Sequence, residues 1–156
     1  MGRAARAAAI VAVLLAACGS TARLSKAEYE RRLGSIGTSA GTTLSKLFSN
    51  PALLTPKSLK QAAGVVRQGA STIDDAASQI DALKPPPDAQ ADNGQLAKAF
   101  RELASELRQW ATDAERGNVQ AVKAFDEQLR ANELPGELLI QKTIHDLKSK
   151  GFKVGA

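Results

Sequence analysis

The sequence predicts an all-α protein, a four-helix antiparallel up-down-up-down bundle behind a cleaved leader. Three observations predict it. Apolar side chains recur at alternating steps of three and four over residues 25–156. Pro and Gly cut that pattern into four pieces, at about 25–49, 56–84, 92–116 and 118–150. The chain is also rich in Ala, Leu, Lys, Glu and Gln and has few β-branched runs, which favours helix.

The first helix has a strong start. Ser25 suits the N-cap, Glu28 completes a capping box, and Leu24 and Tyr29 sit at the two positions of a hydrophobic staple. Tyr29, Leu33, Ile36, Ala40, Leu44 and Leu47 give it one apolar face. Asn50-Pro51 breaks it. Thr55, Pro56 and the Leu54/Leu59 pair restart the chain as the second helix. Its seam is Leu59, Ala63, Val66, Ala70, Ile73, Ala77 and Ile80, ended by Pro85-Pro86-Pro87. The third helix begins near Asp92 or Asn93 and carries Leu96, Phe100, Leu103, Leu107, Trp110 and Ala114. Gly117 stops it and Asn118 caps the fourth. That helix buries Val119, Val122, Phe125 and Leu129, is kinked or interrupted at Leu134-Pro135-Gly136, and resumes through Leu138, Ile140, Ile144 and Leu147. Gly151 and Phe152 fit a Schellman ending on Leu147.

Levels in the bundle follow from folding each hairpin about its loop. About Leu53, Gly37 faces Gly69 and Gly41 lies near Gly64; about Asp88, Trp110 reaches Val66; about 117–118, it reaches Phe125. Bulky rings then lie opposite small residues, as native packing density requires. The expectation is a core filled by Trp110 and Phe125. The competing reading is a ligand cavity at Gly37, Gly41, Gly64, Gly69 and Trp110.

Chemistry is scarce. Di-iron bundles need Glu-x-x-His pairs, but His145 is the sole histidine and Lys142 stands three before it. Haem needs axial His or Met ligands, and the sole Met is the initiator. No cofactor and no metal site is therefore expected, and His145 reads as a surface residue favoured by a helix C-terminus. Glu102/Glu106, Asp74/Asp75, Asp126/Glu127 and Glu133/Glu137 are local pairs with basic neighbours, so solvated ion pairs explain them. No phosphate loop or nucleophile motif is present. An enzyme is not expected.

The first 18 residues carry a different message. Arg3 and Arg6 precede an apolar run from Ala7 to Ala17, the form of an export signal. The run is shorter than the roughly 20 residues that span a bilayer. Leu15-Ala16-Ala17-Cys18 resembles the lipobox of bacterial lipoproteins. The resemblance implies that residues 1–17 are removed and that a diacylglyceryl group is attached to the Cys18 sulfur. It implies a lipidated tether over 18–24 and a place on the extracytoplasmic side of a cell membrane. Two acyl chains hold a protein firmly where one does so marginally. The high Ala and Arg usage is also similar to that of small helical lipoproteins of high-GC bacteria, from which only Cys18 carries over as a functional residue.

Processing would leave 139 residues, enough for one domain. It lowers Lys+Arg from 21 to 19 against 16 Asp+Glu, a formal charge of +3 spread along helices. Nucleic acid is thus a poor partner. With Cys18 acylated no thiol remains for a disulfide. The expectation is a membrane-anchored, non-catalytic envelope interaction or scaffold module that meets another envelope protein or wall polymer. The alternative is a binder of a small apolar or lipid-like ligand held between the helices.

Overall fold

The computed structural model describes residues 22–49 and 59–155. The leader, Cys18 and the Asn50–Ser58 connection, with its Thr55/Pro56 restart, lie outside the described residues. All regular structure among those described is helical: α1 Lys26–Phe48, α2 Leu59–Asp81, a 3₁₀ turn Pro87–Ala89, α3 Gln90–Glu115, α4 Val119–Ala131 and α5 Pro135–Ser149.

Helix ends follow the local chemistry. Glu28 N–H donates to Ser25 Oγ at 3.3 Å, so Ser25 caps α1. The reciprocal half of the capping box is not made. The Glu28 carboxylate instead accepts from Arg31 Nη2 (2.6 Å) and Arg32 Nε (2.8 Å), and these guanidiniums hold it down at about 2. Asn118 Oδ1 accepts from Ala121 N–H at 3.2 Å, capping α4. α5 ends in a Schellman motif, with Gly151 at φ 80°, its N–H on Lys148 O and Phe152 N–H on Leu147 O at 3.0 Å. α3 ends the same way at Gly117.

Two ends differ from expectation. α2 stops at Asp81 because the residues before Pro85 are driven extended, and Lys84 O accepts from Leu24 N–H at 2.7 Å. α3 starts at Gln90, before Asp92 and Asn93, because the 3₁₀ turn opened by Pro87 feeds straight into it. The fourth predicted helix is interrupted, not kinked, and forms two helices. Asn132 takes the left-handed conformation (φ 56°) and Glu133 N–H returns to Gln128 O, closing α4 before Pro135 opens α5.

α2 lies along α3, and three ion pairs fix their register: Arg67 with Glu115, Asp74 with Arg108 (2.7 Å) and Asp81 with Arg101 (2.6 Å). Each step is one heptad, and the partners rise along α2 as they fall along α3. The long Arg side chains of these pairs reach along their own helices, and the shorter contacts give the level: Asn93 Nδ2 on Ile80 O, Ile80 beside Leu96 and Ile73 beside Leu103 centre between Pro86 and Asp88, as the fold about Asp88 predicts. Trp110 accordingly shares its part of the core with Val66, as expected. The α1–α2 register is the one corrected. Gly37 shares a wall with Ile80, and Gly41 one with Ile73; neither faces Gly69 or Gly64.

The core has two parts. One contains Tyr29, Leu33, Ile36, Ile80, Leu96, Leu147 and Phe152; the other contains Val66, Ile73, Leu107, Trp110 and Val122; Phe100 packs against both. Tyr29 is fully buried, with Phe152 edge-on at 5.7 Å. Its hydroxyl donates to Asn93 Oδ1 (3.2 Å), and Asn93 Nδ2 donates to Ile80 O (2.9 Å), which ties α1, α2 and α3 together. Burial and the nearby Asp92 push the Tyr29 phenol up to about 12. Val119 (47%), Leu129 (40%) and Leu138 (49%) are exposed, contrary to the burial expected of Val119 and Leu129. A 13-residue α4 ended at Asn132 turns only Val122 fully inward.

Two predictions follow from this packing. A Cβ on Gly37 meets nothing within 4 Å, while one on Gly136 would lie 2.5 Å from Leu103 N and 2.8 Å from Leu103 Cα. Gly37→Ala should stabilise by up to about 1 kcal/mol through helix propensity, and Gly136→Ala should destabilise by about 2 kcal/mol through overpacking against backbone, both read by denaturant unfolding. Arg67→Glu should lower the melting temperature by opposing Glu115, and adding Glu115→Arg should recover it, a double-mutant cycle that isolates the pair.

Candidate functional site

The structure divides the five residues of the predicted cavity. Gly37 and Gly41 line an open trough between α1 and α5. Gly64 is exposed and Gly69 buried on α2, and neither reaches the trough. Trp110 is only 9% exposed, lies 6.5 Å from Phe125 between ring centres, and donates from Nε1 to Asp126 at 3.1 Å. The five do not share one level, because the α1–α2 register differs from a fold about the loop centre.

The trough has two lobes. The first holds about 390 Å³ and is walled by Leu33, Gly34, Gly37, Leu96, Phe100, Ile144 and Val154, with Thr38 and Thr42 at its edge. The second holds about 490 Å³ and is walled by Gly41, Leu44, Ile73, Leu103, Leu107, Leu129 and Ile140, with Glu137 and Gln141 at its rim. Gly37, Gly41 and Phe100 line both lobes, so they are continuous. The trough exists because α1 presents hydrogen atoms where side chains would reach α5. No Cβ on Gly34, Gly37 or Gly41 would touch anything within 4 Å. Ile140 and Ile144 on the facing wall are consequently only half-buried.

A second feature lies where α5 starts across α3. Gly136 N–H donates to Glu106 Oε1 at 3.1 Å, placing a carboxylate at a helix N-terminus. Glu106 Oε2 is buried without a partner. Burial raises the Glu106 carboxyl above its ordinary value, with Glu102 and Glu137 adding repulsion, against the opposing Gly136 bond. The sequence reading had placed Glu106 in a solvated local pair with Glu102. The Leu134-Pro135-Gly136 turn that covers it was visible only as a helix breaker.

Other titratable groups are spread over the surface. Lys150 Nζ pairs with Asp92 (2.6 Å) and Lys142 with Asp146 (2.7 Å). His145 is exposed on α5. Among the described residues no three His, Cys, Asp or Glu side chains are grouped to hold a metal. No described helix is long and apolar enough to cross a membrane. No protein-family model, curated protein or solved structure matches the chain.

The Glu106 geometry sets a pH dependence. Its raised carboxyl keeps a proton in the folded state at pH values where the unfolded chain has released it, so stability falls as pH rises from 4.5 through the folded value. Glu106→Gln keeps an acceptor for Gly136 and removes the buried charge. It should raise the melting temperature at pH 7, with the gain shrinking as the pH falls through the raised folded value toward 4.5 and gone below it, read by thermal scans at pH 7 and pH 4.

Proposed function

We propose that the chain is a lipid-anchored, non-catalytic interaction module of the cell envelope, held on the extracytoplasmic side of a membrane through a diacylglyceryl group on Cys18. In this reading the helices form an up-down-up-down bundle of four rods, α4 and α5 together making the fourth. The opposed register of α2 and α3 supports that arrangement. So does the order of contacts along α3: Trp110 meets Phe125, Leu103 meets Gly136 and Asp92 meets Lys150.

The observation that carries the reading is the apolar trough between α1 and α5, set among ion-paired surfaces. Glu28, Asp74, Asp81, Asp92, Glu115 and Asp146 are each engaged by Arg or Lys. Carboxylates neutralised one by one on helix faces support a binding role over general acid–base work, which needs two converging in a cleft. The trough is then the working surface, offered to another envelope protein or wall polymer. A second reading, a small apolar or lipid-like ligand in the trough, is favoured by its Leu, Ile and Phe walls, which match the make-up of ligand pockets of 300–1,000 Å³.

The anchor has a direct test in bacterial expression. The native chain should partition with membranes and carry the added mass of a diacylglyceryl group. Cys18→Ala should appear in the soluble extracytoplasmic or unprocessed fraction without that mass. Unchanged membrane partition and mass in Cys18→Ala would refute lipid attachment.

A further inference from the structure

We infer that the trough between α1 and α5 takes a single acyl chain of an anionic amphiphile, a fatty carboxylate, with its head beside Lys148 and its tail running past Gly37 and Gly41. The inference rests on the second reading above, of the trough as a ligand site, and does not depend on lipidation of Cys18.

Size selects the occupant. Along α1 the trough runs from the level of Leu33 to that of Leu44, about 17 Å at 1.5 Å per residue. A partner helix of that length, 10 Å across, occupies about 1,300 Å³, more than the two lobes of about 390 and 490 Å³ taken together. An extended hydrocarbon chain is long and thin, and it matches both the length and the narrow section. The walls offer it aliphatic and aromatic carbon along their full length.

Charge selects the head and its direction. Val154 and Gly155 close the Leu33 end, and Lys148 Nζ lies 3.8 Å from where a Cβ on Gly155 would stand. The opposite lobe carries Glu137 at its rim. A carboxylate is thus drawn to the Lys148 end and repelled from the other. Thr38 and Thr42 add hydroxyls along the α1 edge of the first lobe. Neighbouring charges at the basic end are already occupied: Lys26 Nζ sits 4.7 Å over the Phe152 ring, and Glu30 Oε1 accepts from Lys153 N–H.

The test uses the full chain with Cys18→Ser, so that binding is measured without an attached lipid. Dodecanoate and dodecanol are titrated by calorimetry below their aggregation limits. Dodecanoate should bind as one molecule per chain, and more tightly than dodecanol. A Cβ on Gly37 or Gly41 meets nothing within 4 Å, so Gly37→Leu with Gly41→Leu directs both side chains into the trough, and should keep its helical circular dichroism and weaken both ligands by tenfold or more, about 1.4 kcal/mol. Lys148→Glu should weaken dodecanoate by roughly threefold, the scale of an exposed ion pair, and leave dodecanol unchanged. If dodecanol binds as well as dodecanoate and Lys148→Glu affects neither, the carboxylate inference falls while the apolar-ligand reading stands. If neither ligand binds, or the filled variant binds as well as the parent, both fall.

Discussion

The close pairing of α2 with α3 is the constraint on which the rest of the molecule depends. Both helices carry alanine at heptad spacing on the facing side. Ala63, Ala70 and Ala77 on α2 and Ala97, Ala104 and Ala111 on α3 are all completely buried. In the register of the Asn93–Ile80 hydrogen bond, Ala63 falls opposite Ala111, Ala70 opposite Ala104 and Ala77 opposite Ala97. Methyl groups fill such a seam without side-chain entropy loss, so the two helices meet along a smooth face. Smoothness leaves register weakly specified by shape. The flanking charges supply it: a slip of one heptad in one sense sets Arg67 against Arg108, in the other Asp74 against Glu115, and either leaves one attractive pair in place of three. Attraction in one register and repulsion in its neighbours is how charged flanks select a pairing.

With its alanine side given to α2, α3 turns its large side chains elsewhere. Leu96, Phe100, Leu103, Leu107 and Trp110 form a second stripe, and the remaining helices are arranged on it. α4 lays Phe125 on Trp110, and α5 crosses at Leu103 through the missing side chain of Gly136. α1 is pinned at its first turns by the Tyr29–Asn93–Ile80 hydrogen bonds and by Phe152, which the Schellman turn at Gly151 directs back beneath it. Beyond that clasp α1 packs on α2 and leaves α5 apart. The trough is thus a consequence of how α1 is held.

Much of the fold was legible because local chemistry and periodicity agreed. The Ser25 and Asn118 caps, the endings at Gly117 and Gly151, and the seams of α2 and α3 are all sequence patterns with local causes. Register was legible for α2 and α3, where the fold about Asp88 sets Trp110 with Val66, but not for α1 and α2. Folding a hairpin about its loop centre assumes that both helices end equally far from that centre, and Ile36 beside Gln79 and Ala40 beside Ala76 move the centre about five residues beyond Leu53. That error separated Gly64, Gly69 and Trp110 from Gly37 and Gly41. The alanine stripe of α3 was hidden for another reason: alanine signals helix propensity as strongly as it signals burial, so Ala97, Ala104 and Ala111 carried no distinct mark. Asn132 was overlooked because left-handed helix endings are most often glycine.

Glycines in this chain fall into two physical kinds, and the difference bears on function. Gly136 is required by the fold, since backbone atoms of Leu103 occupy the place of its side chain. Gly34, Gly37 and Gly41 are required by nothing the folded chain itself supplies. Each weakens α1 by about 1 kcal/mol relative to alanine, and the space before it is open. A helix so weakened is sustained by its clasp at one end and by the α2 contact along one side. Filling the trough with apolar matter would add the missing second side, burying Phe100, Ile140 and Ile144 more deeply and ordering α1 against α5. Occupancy and stability of α1 are then linked, because whatever binds the folded form better than the unfolded one stabilises it. The same open space that makes α1 weak in isolation lets an occupant reach the half-buried wall behind it.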